Sequence, residues 1–195
     1  MAVSGPANRT DEPDGRGYGL ISRVNHWLTA AAFLAALGIG LVIDYAGLPD
    51  EQVFALYDWH MLFGSIVLVY GIWRVGWRIA KGLPPPVAGA PRWQEVAAKV
   101  VHCGLLAAIV VTPVSGVLMT ISGGFDVAVW GLVLVPSIGE VEWLNAAMGA
   151  VHWAMSLLIL ALLALHVGGV LKHQFLDRDA TLARMTTARR PTAPR

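Results

Sequence analysis

Six histidines and one arginine fall in or beside long apolar stretches of this 195-residue chain, namely His26, His60, His102, His152, His166, His173 and Arg74. Ionisable side chains inside a membrane span are rare and usually functional. The sharpest spacing is His152 to His166. Fourteen residues at about 100° each make about 1400°, within about 40° of whole turns, so on one helix both imidazoles leave the same side, about 21 Å apart along the axis. Imidazoles at two depths of one helix suit two haems stacked in a bundle. Each iron then takes one axial ligand from this helix and a second from a facing helix. By depth, His60 is the partner for His152, whereas both His26 and His102 suit His166. Arg74 follows His60 by fourteen residues and returns to the same face, at the depth of the inner site. A buried arginine needs an anion, and a haem propionate offers the bidentate geometry a guanidinium matches. Gly64 and Ser156, one turn after His60 and His152, leave room for a flat macrocycle.

The elements that must position these residues follow from charge-free runs. Val24–Ile43, Trp59–Trp73, Val100–Phe125 and Trp143–Leu171 contain no Lys, Arg, Asp or Glu. A bilayer core needs about 20 helical residues, and the second run continues past Arg74 to about residue 80. The sequence therefore predicts transmembrane helices near 21–43, 59–80, 98–121 and 147–171. The histidines then fall at or near helix starts, apart from His166, which lies late in the last helix, and His173, just beyond it. Val127–Gly139 is too short to span and contains Pro136, so it is expected as a loop lying at the interface. No internal repeat and no strand pattern is evident.

Composition agrees with a membrane bundle. Hydrophobic residues make up 56% and charged residues 14%, well below the roughly one quarter of a soluble domain. A net charge of +1 gives nucleic-acid binding no electrostatic support. The single cysteine, Cys103, excludes a disulfide framework, a cysteine zinc site and covalent Cys-x-x-Cys-His haem attachment; packing is its ordinary role. His102 and His173 have interfacial positions as their ordinary reading, and the eight tryptophans that of a membrane belt. All fourteen Lys and Arg residues fall in the first stretch of chain, around the second connection or after the last span, while the first and third connections hold only acidic residues. The positive-inside rule then places both termini in the cytoplasm. Residues 1–19 are expected as a cytoplasmic N-terminal tail, 20–173 as the four-helix di-haem domain and 174–195 as a basic cytoplasmic C-terminal tail.

His26-Trp27-Leu28, the run Asp58-Trp59-His60-Met61-Leu62-Phe63-Gly64, Arg74 and Arg78, then Pro113, Gly116 and Met119, the pair His152 and His166, Lys172-His173 and Leu182-Ala183-Arg184-Met185 together carry a likeness. Over about 18–187 the chain resembles the bacterial cytochrome b561 family, above all its small four-helix di-haem members of superoxide:ubiquinone oxidoreductase type. The resemblance implies an all-α integral membrane bundle enclosing two non-covalent haem b groups. It implies His26 with His166 on the inner iron and His60 with His152 on the outer iron. It also implies a bacterial inner-membrane location and one-electron transfer across the membrane between superoxide and ubiquinone or another quinone. Lys172, His173 and His102 are the residues that could hydrogen-bond a quinone at the inner side. The wider superfamily includes cytochrome b subunits of hydrogenases and formate dehydrogenases. The alternative is accordingly a subunit passing electrons between quinone and a partner dehydrogenase or a periplasmic carrier.

Overall fold

The computed structural model describes residues 18–82, 91–179 and 181–186. The triple-proline connection, most of the expected N-terminal tail and the basic end after 186 lie outside the described residues. Four long helices carry the chain, α1 (Leu20–Tyr45), α2 (Asp50–Lys81), α3 (Arg92–Ser122) and α4 (Glu142–Lys172). All four are long and apolar enough to cross a membrane. The shortest, at 26 residues, rises about 39 Å, against a hydrocarbon core of about 30 Å.

Each helix reaches further than the charge-free runs suggest. α2 starts at Asp50 rather than near 59, α3 at Arg92 rather than near 98, and α4 at Glu142 rather than near 147. Pro49 and Pro91 stand at the N-caps of α2 and α3, where a missing N–H costs nothing. Asp50, Glu51 and Glu142 fall in first turns, and Arg78 and Lys81 in the last turn of α2, each sign matching the helix dipole. The charges that end an apolar run thus stabilise the helix ends. His60, His102 and His152 consequently lie about three turns into their helices rather than at their starts.

α1 packs chiefly on α2 and α3 on α4, and the α2–α3 contact joins the pairs. α4 meets α1 and α2 through side chains, among them the ring pairs His26–His166 and His60–His152. A small core of Ala32, Phe33, Val67, Ala108, Ile109 and Ile159 draws on every long helix. Many large apolar side chains outside it are exposed, and only 6% of the most apolar stretch of α2 is buried, an exposure that lipid rather than water tolerates. Pro113 lies inside α3 and has no N–H, so the carbonyl of Ile109 lacks its usual donor. Gly71 of α2 packs on that carbonyl, where a Cβ would stand 2.9 Å from the oxygen.

The stretch expected as a loop at 127–139 differs from that expectation. Val127–Val129 (β1) and Leu132–Val135 (β2) form an antiparallel hairpin. Its turn has φ of 47° at Trp130 and 83° at Gly131, the mirror-image geometry that fits strand twist. Tryptophan is costly there, and Trp130-Gly131 stands where a recognisable hairpin signal would be Asn-Gly. Asp58 of α2 compensates by accepting the Trp130 backbone N–H at 2.8 Å, and the Trp130 ring packs edge-on against Trp59 with centroids 4.8 Å apart. The hairpin is thereby pinned against α2 at Asp58 and Trp59, the residues just before His60.

Part of the stretch expected as a C-terminal tail folds back on the bundle. α4 continues into one π-helical turn, His173–Asp177, ended by Arg178 at φ 53°. His173 pairs with Asp179 at 2.7 Å and Lys172 with Asp177 at 2.6 Å. The chain then turns into the short α5 (Ala183–Thr186). The indole of Trp27 donates to Met185 O at 3.1 Å and Tyr18 N–H to Arg184 O at 3.1 Å, tying this strap to the start of α1.

Candidate functional site: layered histidines

A seven-residue step runs through all four helices. At about 100° per residue, seven residues fall about 20° short of two turns and keep one face. α1 carries His26, Phe33 and Gly40, and α2 His60, Val67 and Arg74. α3 carries His102, Ile109 and Gly116, and α4 His152, Ile159 and His166. Because neighbouring helices run in opposite directions, these residues form three layers. Phe33, Val67, Ile109 and Ile159 make the buried middle, with Val67 2% and Ile159 1% exposed. Gly40, His60, Gly116 and His152 lie at the end that carries the hairpin, here the outer end. His26, Arg74, His102 and His166 lie at the other.

In the outer layer His60 and His152 face each other, with ring centroids 6.1 Å apart. His60 Nδ1–H donates to the carbonyl of Ala36 on α1 at 3.0 Å, and His152 Nδ1–H to that of Thr112 on α3 at 2.9 Å. A carbonyl only accepts, so Nδ1 carries the proton in both rings and each Nε2 keeps a free lone pair. Such a bond fixes ring and tautomer for metal ligation. Each ring also rests on a glycine one turn beyond its carbonyl. A Cβ on Gly40 would stand 3.1 Å from His60 Cε1, and one on Gly116 3.0 Å from His152 Cε1. Gly64, one turn after His60, faces open space.

The inner layer brings His26, His102 and His166 together. The His26 ring lies 6.3 Å from that of His166, and His102 lies 5.5 Å from it. Two imidazoles on opposite sides of one iron, at about 2 Å per bond, put their centroids roughly 6–6.5 Å apart. His60–His152 and His26–His166 match that spacing, and His102–His166 is shorter. Arg74 reaches into this layer, where its guanidinium meets two side chains of α1. Its Nη1 donates to Asn25 Oδ1 at 3.1 Å and its Nη2 to His26 Nδ1 at 3.1 Å. His26 thus accepts at Nδ1, the reverse of the outer pair. The outer donor set, two facing imidazoles with Nδ1 held by carbonyls across a space bordered by Gly40 and Gly116, fits a planar macrocycle; in the inner layer the arginine adds a cation, and His26, accepting at Nδ1, carries its ring proton on Nε2.

A family model for prokaryotic cytochrome b561 matches residues 17–188. The chain belongs to that family. It is 27% identical over 169 residues to cytochrome b561 homolog 2 of Escherichia coli (strain K12), covering 86% of this chain and 90% of that protein. It is 23% identical over 135 residues to cytochrome b561 homolog 1 of the same strain, covering 69% and 72%. As a prokaryotic cytochrome b561 it is a multi-pass membrane cytochrome of electron transfer, in a family that binds b-type haem.

Placed on this cytochrome, the sequence-derived residues separate into groups. His26, His60, His152, His166 and Arg74 converge in the two layers, and His102 joins the inner one. Lys172 closes α4 and His173 opens the π-helical turn after it, engaged by Asp177 and Asp179 respectively. Ala36, Gly40, Thr112 and Asn25 escaped the sequence reading. The seven-residue step on all four helices would have found Gly40, whereas the carbonyl acceptors carry no side-chain signal at all.

Proposed function

We propose that this cytochrome b561 holds two haem b groups, one between His60 and His152 and one between His26 and His166, and passes single electrons between them across the membrane. The observation that carries the proposal is the outer pair, with facing rings, both Nδ1 protons committed to backbone carbonyls and both Nε2 atoms free. Haem iron with two imidazole ligands has no open position and supplies one-electron transfer rather than oxygen activation. The protein's own residues do the rest. Ala36 and Thr112 fix the tautomers of the outer ligands, and Gly40 and Gly116 set their rings. Asp58 and Trp59 hold the hairpin against the outer end and limit water there. Arg74 provides the cation for an inner carboxylate. His26 is favoured over His102 as the inner ligand by its centroid spacing to His166.

Both termini are placed in the cytoplasm of a bacterium, with the hairpin outside the inner membrane, on the distribution of Lys and Arg. The proposed partners are superoxide at the outer end and ubiquinone or a related quinone within the bilayer, with His102 the remaining polar side chain for a quinone near the inner layer. One observation favours a second reading. The outer connections and the helix ends that flank them carry Asp44, Asp50, Glu51, Asp58, Asp126, Glu140 and Glu142 with no Lys or Arg, a field that attracts a cationic carrier protein and repels superoxide. Purification in mild detergent tests both. Superoxide-dependent quinone reduction by the lone chain supports the first reading. Its absence, with haem reduced by a basic carrier in a salt-sensitive way, supports the second.

A further inference from the structure

The strap that follows α4 does not close flush on α1. Arg23, Val24, Trp27 and Leu28 of α1 face Met185 and Thr186 of the strap across a groove of about 350 Å³, which opens on the outside of the bundle at its inner end. Steps of one and four residues keep the α1 members on one stripe of the helix. Leu28 lies five residues beyond Arg23, about 7.5 Å further along the axis toward the middle of the membrane. The groove is therefore cationic at the end nearest water and apolar deeper in, where Val24 and Leu28 are exposed. The Trp27 indole, bonded to Met185 O at 3.1 Å, ties its two walls together.

Two guanidinium groups at this junction lack an acceptor. The Nε–H of Arg23 and that of Arg184, the residue before Met185, are buried with no hydrogen-bond partner. Among the described residues the strap carboxylates Asp177 and Asp179 are taken by Lys172 and His173, and no carboxylate is paired with Arg23 or Arg184. A buried N–H without an acceptor is costly, and a guanidinium at the edge of a membrane needs an anion. Its planar fork matches phosphate oxygens.

We propose that this groove binds one anionic phospholipid, its phosphate on Arg23 and an acyl chain along Val24 and Leu28, with Arg184 adding positive charge from the strap. The apolar wall selects a lipid over free phosphate. Cations without carboxylates select an anionic headgroup over a neutral one. A lipid seated there touches both walls, and so reinforces the bonds from Trp27 to Met185 O and from Tyr18 to Arg184 O that hold the strap to α1.

Native mass spectrometry of the full chain in a neutral detergent tests the proposal by counting lipid retained per chain. The probes are dioleoylphosphatidylglycerol and dioleoylphosphatidylcholine. Wild type is expected to retain one phosphatidylglycerol at concentrations that leave no phosphatidylcholine bound, and excess inorganic phosphate is expected not to displace it. R23Q removes a charge-assisted contact and should weaken retention about tenfold, whereas R23K should keep most of it. T186E sets a carboxylate on an exposed position of the groove and should weaken retention without disturbing a buried residue. K99Q removes an exposed charge at the same end, outside the groove, and should change nothing. The proposal is overturned if phosphatidylcholine is retained equally, if R23Q and T186E both hold phosphatidylglycerol as wild type does, or if K99Q falls as far as R23Q. Displacement by inorganic phosphate overturns it too, because the site then takes an anion and not a lipid.

Discussion

Gly116→Ala probes the seat of an outer ligand. The added Cβ would stand 3.0 Å from His152 Cε1 and 3.1 Å from Nδ1. Ordinary carbon contacts lie at about 3.5–4.0 Å, so the ring must retreat from α3 by about 0.5 Å. Thr112 O is on that same helix, and its 2.9 Å bond to Nδ1 would stretch to about 3.4 Å, beyond the usual limit near 3.2 Å. Overpacking costs about 1–3 kcal/mol and the lost hydrogen bond about 0.5–1.5 kcal/mol. At 1.4 kcal/mol per tenfold, a combined cost of about 2–4 kcal/mol weakens haem retention roughly thirty- to several-hundred-fold. Titration of haem-depleted protein reads this directly, with loss of one haem per chain at limiting haem. Gly149→Ala is the control, since its Cβ would meet only the flexible Met119 side chain at 3.4 Å. Unchanged affinity in Gly116→Ala, with an unchanged low-spin signature, would refute the claim that this glycine seats the ligand.

Three further expectations concern the frame. Gly71→Ala drives a Cβ to 2.9 Å from the Ile109 carbonyl, a backbone atom that cannot swing aside, so it should lower stability by about 1–3 kcal/mol in thermal unfolding, whereas Gly38→Ala, facing open space, should not. Asp58→Ala removes the acceptor of the Trp130 N–H and should speed amide exchange across 127–135; protection equal to wild type would mean the hairpin holds itself. Burial works against ionisation of Asp179, but the bonds from Thr181 and His173 outweigh it and hold its carboxyl below the usual 3.8. A depressed folded pKa adds stability above the unfolded value, lost as pH falls through the folded one. The strap at 181–186 should therefore keep its exchange protection down to about pH 4 and lose it only in stronger acid, while Asp179→Asn should loosen it at neutral pH.

Much of this was legible in the residues. Fourteen-residue spacing put His152 with His166 and His60 with Arg74 on common faces, because helical periodicity holds wherever a helix forms. Helix ends were less legible, since Asp50, Glu51 and Glu142 stop an apolar count yet suit a first turn. The hairpin at 127–135 hid in a run of valine and leucine around Trp130-Gly131, whose positive φ depends on Asp58, far away in sequence. The protein contacts of Arg74 were not legible either. Its Asn25 and His26 contacts depend on how α1 docks on α2, which no single-helix pattern encodes.

The central claim is two bis-histidine haems in four helices. A reduced-minus-oxidised spectrum with haem quantitation on the purified chain tests it most directly, beside His60→Ala and His102→Ala. Two b-type haems per chain, falling to one in His60→Ala and staying at two in His102→Ala, is the predicted result. A preparation holding no haem, or one in which His102→Ala loses a haem, would contradict it.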